Sequence, residues 1–317
     1  MDTSFISEKL NNFNIQENVN ILHTKNNKVP KGDLLNKLYS QFEFIMYKKK
    51  GYDKINLKIE RLRDLNELIN LGYKITHLTF DDWFYEYVDN LPNSITHLNS
   101  GHKFNQSVDN LPNSITHLTF GRQFNKPVDN LPNSITHLTL GFNFSYPVDN
   151  LPNSLTHLTF DNWFFNHPVD NLPNTLTHLT FGHEFNQPVD NLPKSLTHLT
   201  LGYNFDQNID NLPNSLTYLA FNEDCDFDRP VNNLPNKLTH LTFGYNFNQP
   251  VDNLPKSLTH LTFGENFNQQ LNLILFANLT VLKLFKYTSK INLNKNIKEL
   301  WIQNINLFKI ESYYSLE

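Results

Sequence analysis

Apolar residues return along this chain with a period close to twenty. In the unit from Ile115 to Ser134 they stand at positions 1, 4, 6, 10, 14 and 17, as Ile115, Leu118, Phe120, Phe124, Val128 and Leu131. His117, Leu118, Thr119 and Phe120 alternate polar and apolar, which predicts a β-strand with one wetted face and one buried face. Gly121 ends that strand, and Pro127 and Pro132 punctuate the rest of the unit. Each proline lacks an amide proton and restricts the residue before it, so the pair excludes a regular helix and predicts an extended return leg.

The strand phrase begins at Ile75, Ile95, Ile115, Ile135, Leu155, Leu176, Leu196, Leu216, Leu238 and Leu258, in steps of 20, 20, 20, 20, 21, 20, 20, 22 and 20 residues. Weaker copies follow at Leu279–Leu284 and Ile297–Ile302. A worn one precedes them, in which Leu57 and Ile59 stand 21 residues before Leu78 and Phe80. Like units joined head to tail cannot pair antiparallel without alternating turns of two kinds, so one parallel strand per coil is expected. No single unit encloses its own apolar positions, and stacked neighbours complete a continuous core. At about 4.8 Å per coil, roughly twelve coils make a rod on the order of 55 Å long.

The spacing Leu-x-x-Leu-x-Leu resembles the leucine-rich repeat, and the short unit with Leu-Pro before the next strand resembles its 20-residue bacterial effector type. The match to the FNIP repeat family of amoebal and giant-virus proteins is closer. Its hallmark, Phe-Asn-x-Pro ahead of Val-x-x-Leu-Pro-x-Ser-Leu, stands here as Phe124-Asn125-Lys126-Pro127, Phe185-Asn186-Gln187-Pro188 and Phe247-Asn248-Gln249-Pro250. The resemblance covers roughly residues 70 to 270 and implies a leucine-rich-repeat-like solenoid without a catalytic residue. The fold class expected is therefore mainly β: units of about 20 residues, parallel strands on one face, extended return legs and a short helical N-terminal cap. A parallel β-helix is the structural alternative. One departure matters. The usual leucine-rich Asn at position 9 is absent in most units, with Lys103, Gln123 and Trp163 in its place, so the turn after the strand must satisfy its backbone otherwise, and Asn125, Asn186 and Asn248 are placed to do it.

The solenoid is assigned to residues 55–302, an N-terminal helical cap to 1–54 and a C-terminal cap to 303–317. Leu34, Leu35, Leu38, Phe42, Ile45 and Met46 fall at helical spacing, predicting a helix over Asp33–Lys49 that Gly51 ends, and Asp64–Asn70 predicts a short second one. Val29-Pro30 followed by Leu34-Leu35 faintly resembles the opening of an F-box, a ubiquitin-ligase adaptor motif carried by some relatives of FNIP proteins. Ile305, Leu307, Phe308 and Tyr313 are the apolar residues of the far cap.

Composition removes several functions. The net charge is −5 and the longest basic run is Lys48–Lys50, so a nucleic-acid partner is not expected. Cys225 is the only cysteine, which precludes an intrachain disulfide and points to a reducing, intracellular and cytoplasmic home, or the host cytoplasm for a viral protein. Met1–Leu10 lacks the apolar centre of a secretory leader, and no apolar run is long enough to span a membrane.

Three features could carry chemistry. His77, His97, His117, His137, His157, His178, His198, His240 and His260 form one ladder, interrupted by Tyr218 and flanked by a Thr ladder. Imidazoles in a row do not converge on a metal, so a structural role is expected. Glu223-Asp224-Cys225-Asp226-Phe227-Asp228 lacks the Gly and terminal Glu of a calcium loop and reads as a solvated loop, in which carboxylates should leave Cys225 unactivated. Asp89, Asp109, Asp129 and their equivalents recur in every unit, as building parts do. No cofactor, metal or catalytic set is discernible. The reading is a non-enzymatic, monomeric scaffold for a protein partner. Its alternatives are a ubiquitin-ligase adaptor acting through the F-box-like segment and an enzyme with a site outside the repeats.

Variation concentrates just after the strand: Asp82-Trp83, His102-Lys103, Arg122-Gln123, Phe142-Asn143, Asn162-Trp163, His183-Glu184, Tyr203-Asn204, Tyr245-Asn246 and Glu265-Asn266. A constant scaffold with a variable rim points to recognition along that rim, the alternative being neutral drift at exposed loop positions with each Trp folded onto its own coil. The candidate partner-binding residues are Trp83, Trp163, Lys103, Arg122, Phe142, Tyr203 and Tyr245, with large aromatics as anchors. Trp83 and Trp163 stand at matching positions in the sequence, four coils or roughly 20 Å apart.

Overall fold

The computed structural model describes residues 44–49, 52–70, 74–161, 163–287, 291, 296–303 and 314–315. One sheet of fifteen strands runs through them in strict chain order. It opens with β1 (Phe44–Lys49) and β2 (Tyr52–Ile59), followed by the helix α1 (Leu62–Asn70). The repeats supply β3 (His77–Phe80), β4 (His97–Asn99), β5 (His117–Thr119), β6 (His137–Leu140) and β7 (His157–Phe160). They continue through β8 (His178–Thr180), β9 (His198–Leu201), β10 (Tyr218–Phe221), β11 (His240–Thr242) and β12 (His260–Thr262). The last are β13 (Val281–Phe285), β14 (Glu299–Gln303) and β15 (Tyr314–Ser315). From β2 to β14 every pairing is parallel and puts like repeat positions side by side, as in His117↔His137 and Leu118↔Leu138. The worn first copy obeys the same register, with Leu57 opposite Leu78 and Ile59 opposite Phe80.

The chain ends depart from expectation in one place. The helix expected over Asp33–Lys49 is overturned in its last six residues, because Phe44–Lys49 is a strand paired antiparallel with β2. Parallel stacking leaves β2 with an open edge of amides and carbonyls, and β1 covers it with a row of aromatic and β-branched residues suited to a strand. The rest of that expected helix, and Val29, Pro30, Leu34 and Leu35 of the F-box-like phrase, lie outside the described residues. The second expected helix is present as α1, two residues longer at its start. It occupies a return leg free of proline, where a helix can form. At the other end Ser315 and Tyr314 pair antiparallel with Glu299 and Leu300.

Stacking is secured on every side of the coil. From Ile75 to Leu254 the core positions of each coil are buried and make one continuous core, with Ser100 at a position-6 place, while Ile274 of the following coil is exposed. The position-10 rings, from Phe84 through Phe267 to Tyr287, follow one another at centroid separations of 6.1–6.3 Å. Where position 6 is also Phe, its ring stacks on position 10 of the same coil, at 3.6 Å for Phe181 and Phe185. Around this core run polar ladders. Each position-20 Ser donates to the position-1 carbonyl of its own unit, as Ser134 Oγ does to Ile115 at 2.6 Å. Asn130 Nδ2 donates to Asp109 Oδ1 at 3.2 Å and Asn191 Nδ2 to Asp170 at 3.0 Å, which accounts for the recurring Asp of the return leg. Position 1 closes a turn begun by proline, Ile115 N–H donating to the Pro112 carbonyl at 3.2 Å.

The Asn row at position 11 serves the turn as expected, in units with and without an Asn at position 9. Asn105, Asn125, Asn166, Asn186 and Asn248 each accept, through Oδ1, the N–H of the residue one coil later, at 2.9–3.1 Å. The turn itself adds backbone bonds between coils, such as Gln123 N–H to the His102 carbonyl at 2.9 Å. Directly after the strand, at position 7, runs a column of glycines broken by Asp161 and Asn222. A Cβ on Gly202 would sit 1.6 Å from the Gly182 carbonyl oxygen, so no side chain fits there while the coils keep their spacing.

Candidate functional site

On the outer face of the strands the histidines form the ladder expected. From His77 to His198 adjacent rings stack at 3.9–4.2 Å, and His240 and His260 resume at 4.1 Å. Tyr218 interrupts the row, 5.5 Å from His198 and 6.1 Å from His240. The Thr before each His, as in Thr116 and His117, brings its Oγ1 within 2.9 Å of the ring Nδ1 and fixes the ring plane. The rings are half-buried. Burial first, and like-charged ladder neighbours second, hold His137, His157, His178 and His240 below 6.5. Repulsion between stacked rings is therefore the lesser cause. Among the described residues no three His, Cys, Asp or Glu gather to hold a metal ion.

Cys225 is buried, and its Sγ faces the Phe205 carbonyl at 3.5 Å. Burial, reinforced by Asp226 and Asp206, raises the thiol to about 11, so it is not a nucleophile at neutral pH. Its acidic neighbours Glu223, Asp224, Asp226 and Asp228 are exposed, as expected of a solvated loop.

The candidate partner residues lie along the rim where each strand turns into its return leg. Position 10 points into the core and pins this turn, leaving positions 8 and 9 outward. Four of them, with His183, form a ribbon of flat groups. The Arg122 guanidinium lies 4.5 Å from the centre of the Phe142 ring. Phe142 lies 5.7 Å from Trp163, Trp163 stacks on His183 at 3.7 Å, and His183 stacks on Tyr203 at 4.4 Å. Glu184 anchors the ribbon, its Oε1 accepting from His183 Nδ1 at 3.0 Å and its Oε2 from Asn204 Nδ2 at 2.7 Å. Lys103 and Trp83 make a separate pair, the ammonium 3.2 Å from the ring centre. Tyr245 stands apart, with Lys286 5.9 Å from its ring centre and held by Glu265. Among the described residues no helix is long and apolar enough to cross a membrane.

The two tryptophans, matched in sequence, do not share a column. The unit holding Trp163 has an extra residue, and the ring falls between Phe142 and His183, whereas Trp83 sits under Lys103. Both remain accessible, Trp83 at 68% and Trp163 at 41%. His183, read from sequence only as one of the variable residues, is the link between Trp163 and Tyr203. Phe164, 54% exposed and edge-on to Phe142 at 5.9 Å, was not singled out. The 21-residue step and the run Trp163-Phe164-Phe165 were the signals that could have located both.

The model of the FNIP repeat matches stretches of this chain from residue 87 to residue 286, covering more than half of it. The chain belongs to the FNIP repeat family. No curated protein sequence matches it. Among solved structures, the FNIP solenoid is similar to CroV588, a circular leucine-rich-repeat protein of a giant virus, at 47% identity and a TM-score of 0.66 over 72% of this chain. The chain spans 37% of that protein. The same fold is seen, at 18% identity and a TM-score of 0.54, in the internalin InlF of Listeria monocytogenes, over 80% of this chain and 73% of that one. A chain of the Drosophila Toll–Spatzle complex matches at 15% identity and a TM-score of 0.55, over 82% of this chain and 44% of that one. These likenesses identify the FNIP units as leucine-rich-repeat-like coils.

Proposed function

We propose that this chain is a non-enzymatic scaffold that holds a protein partner against the rim carrying Trp83, Lys103, Arg122, Phe142, Trp163, Tyr203 and Tyr245. The observation that carries this reading is the ribbon from Arg122 to Tyr203, a continuous run of flat side chains in contact and left accessible where the strands turn. Stacking holds each ring in place before a partner arrives, which lowers the ordering cost of binding. The repeated hydroxyls, amides and carboxylates are already engaged in ladders between coils, as building parts are. A chain of the same fold has been seen in a protein complex, the Toll–Spatzle complex, in keeping with a protein as the partner.

The test is affinity capture with the full chain and with the double variant Trp83→Ala/Trp163→Ala. Truncating an aromatic anchor typically costs 2 kcal/mol or more, roughly 30-fold in affinity, so the variant should keep its circular-dichroism spectrum and lose its partners. Retention of every partner by the folded variant would sink the reading.

A further inference from the structure

The ribbon has unequal ends. Its first end is closed by a cation, Arg122 over Phe142. Its last member is Tyr203, whose one ring neighbour among the described residues is His183. The next coil is the 22-residue unit, and it adds no ring to the column. The backbone register sets the buried Cys225 after Tyr203, with the Asp226 amide donating to the Tyr203 carbonyl at 2.9 Å and the exposed Glu223 and Asp224 just ahead of it. One coil further on comes Tyr245, whose amide donates to the Glu223 carbonyl at 2.8 Å. Two tyrosines about 10 Å apart therefore flank an acidic coil.

Charge along the rim is segregated. The turns of the second and third repeat units carry Lys103, Arg122 and Lys126, whereas the 22-residue unit exposes Glu223, Asp224, Asp226 and Asp228 with Arg229 as its one turn cation. Arg229 is committed to Asp206 of the preceding coil, through bonds of 2.9 and 3.0 Å. Asp226 is met by a neutral amide, Asn246 Nδ2 donating to it at 2.8 Å. A shallow cleft of about 400 Å³, lined by Asn166, Glu184, Asn186, Asn204, Asp206 and Asp226, runs along the preceding coils and meets this one at Asp226. Elsewhere on the rim the chain supplies its own cation to a ring face, as Lys103 does for Trp83 and Lys286 for Tyr245. At the open end of the ribbon it supplies carboxylates instead.

We infer that the notch between Tyr203 and Tyr245 docks a basic segment of the protein partner, one arginine or lysine head lying on the open face of Tyr203 among the Glu223, Asp224 and Asp226 carboxylates. A guanidinium suits the place best, because it stacks flat on an aromatic ring while its edge forks to a carboxylate. The inference rests on the rim being the partner-binding surface, and it adds the sign of the partner's charge and the place where that charge is read.

Two labelled 12-residue peptides, one alternating arginine with serine and one alternating glutamate with serine, serve as probes in fluorescence anisotropy with the full chain. The arginine peptide should bind at least about tenfold more tightly than the glutamate peptide. Tyr203→Leu, and separately Glu223→Gln/Asp226→Asn, should each weaken it about tenfold, while Tyr203→Phe keeps the ring and the binding. Asp129→Asn/Asp149→Asn removes the same charge from the return leg and should change affinity by less than about twofold. No arginine preference, an equal loss in the return-leg variant, or insensitivity to Tyr203→Leu each overturns the inference. Should partner capture depend on Trp83 and Trp163 while the arginine peptide ignores the notch, the charge assignment alone falls. Should capture ignore the tryptophans, the rim reading falls with it.

Discussion

Single side chains here are either wholly inside or plainly on the rim, and that division sets what each substitution does. Phe185 is fully buried, stacked on Phe181 at 3.6 Å and ranged between Phe165 and Phe205 at 6.2 Å. Coils on both sides hold the cavity open, so Phe185→Ala should cost about 3–5 kcal/mol, read as a lowered urea midpoint. An unshifted midpoint would mean the ring does not pack between coils. Cys225 makes a second check. With its thiol raised to about 11 by burial, it should resist a thiol-exchange reagent at pH 8 in the native protein and react promptly in denaturant. Prompt reaction of the native protein would place the sulfur at the surface.

Within one coil, strand, turn and return leg make separate demands, and two of them can be tested. The glycine after the strand is required by close approach: a methyl on Gly202 would meet the Gly182 carbonyl oxygen at 1.6 Å. Gly202→Ala should therefore destabilise by about 1–3 kcal/mol or more, as overpacking does, with a lowered melting temperature as the readout. A melt equal to wild type would show that the coils can separate there freely. The strands bring the second test. His137, His157, His178 and His240 are held below 6.5 by burial and then by their neighbours, so the fold favours their neutral form. The unfolded chain binds more protons as pH falls, so the stabilisation is complete above about 6.5 and is lost as pH drops through the lowered folded values. Urea midpoints should fall between pH 7.5 and pH 5.5. Replacing His137, His157 and His178 by Asn should flatten that dependence, and an equally steep fall in that variant would assign it to other groups.

Across the whole molecule, contacts run from each coil to the next, so stability is a sum over units and their interfaces. Within the regular repeats, the coils of 21 and 22 residues that start at Leu155 and Leu216 are absorbed without breaking the position-10 column: Phe165 and Phe227 keep the 6.2–6.3 Å spacing to their neighbours. The extra residues emerge on the rim instead, as Trp163-Phe164 and the acidic coil. Nearest-neighbour coupling predicts that damage stays local before it spreads. In Phe185→Ala, amide exchange should accelerate first in the coils holding Phe165, Phe185 and Phe205 and reach β3 and β12 last. Uniform acceleration along the chain would instead indicate one all-or-none unit.

The core, the parallel register and the ladders were legible in the sequence because a strict repeat converts each position into a column. Once Leu118 and Leu138 are equivalent, stacking sets them side by side, and an Asn repeated at position 11 needs no further information to find the amide one coil away. The first strand was not legible. Ile45 and Met46 satisfy a helical period, and only the open edge of β2 makes the strand the better partner for those residues. The rim was half legible: the sequence marked Trp83, Trp163 and their variable neighbours, but equal distance from the strand did not mean equal place. The inserted residue moves Trp163 into the ribbon with Phe142 and His183, and Trp83 is left with Lys103. Repetition determines what is shared by every coil. Side chains that occur once take their neighbours from the turn geometry of their own coil, and that was decided only in the tertiary structure.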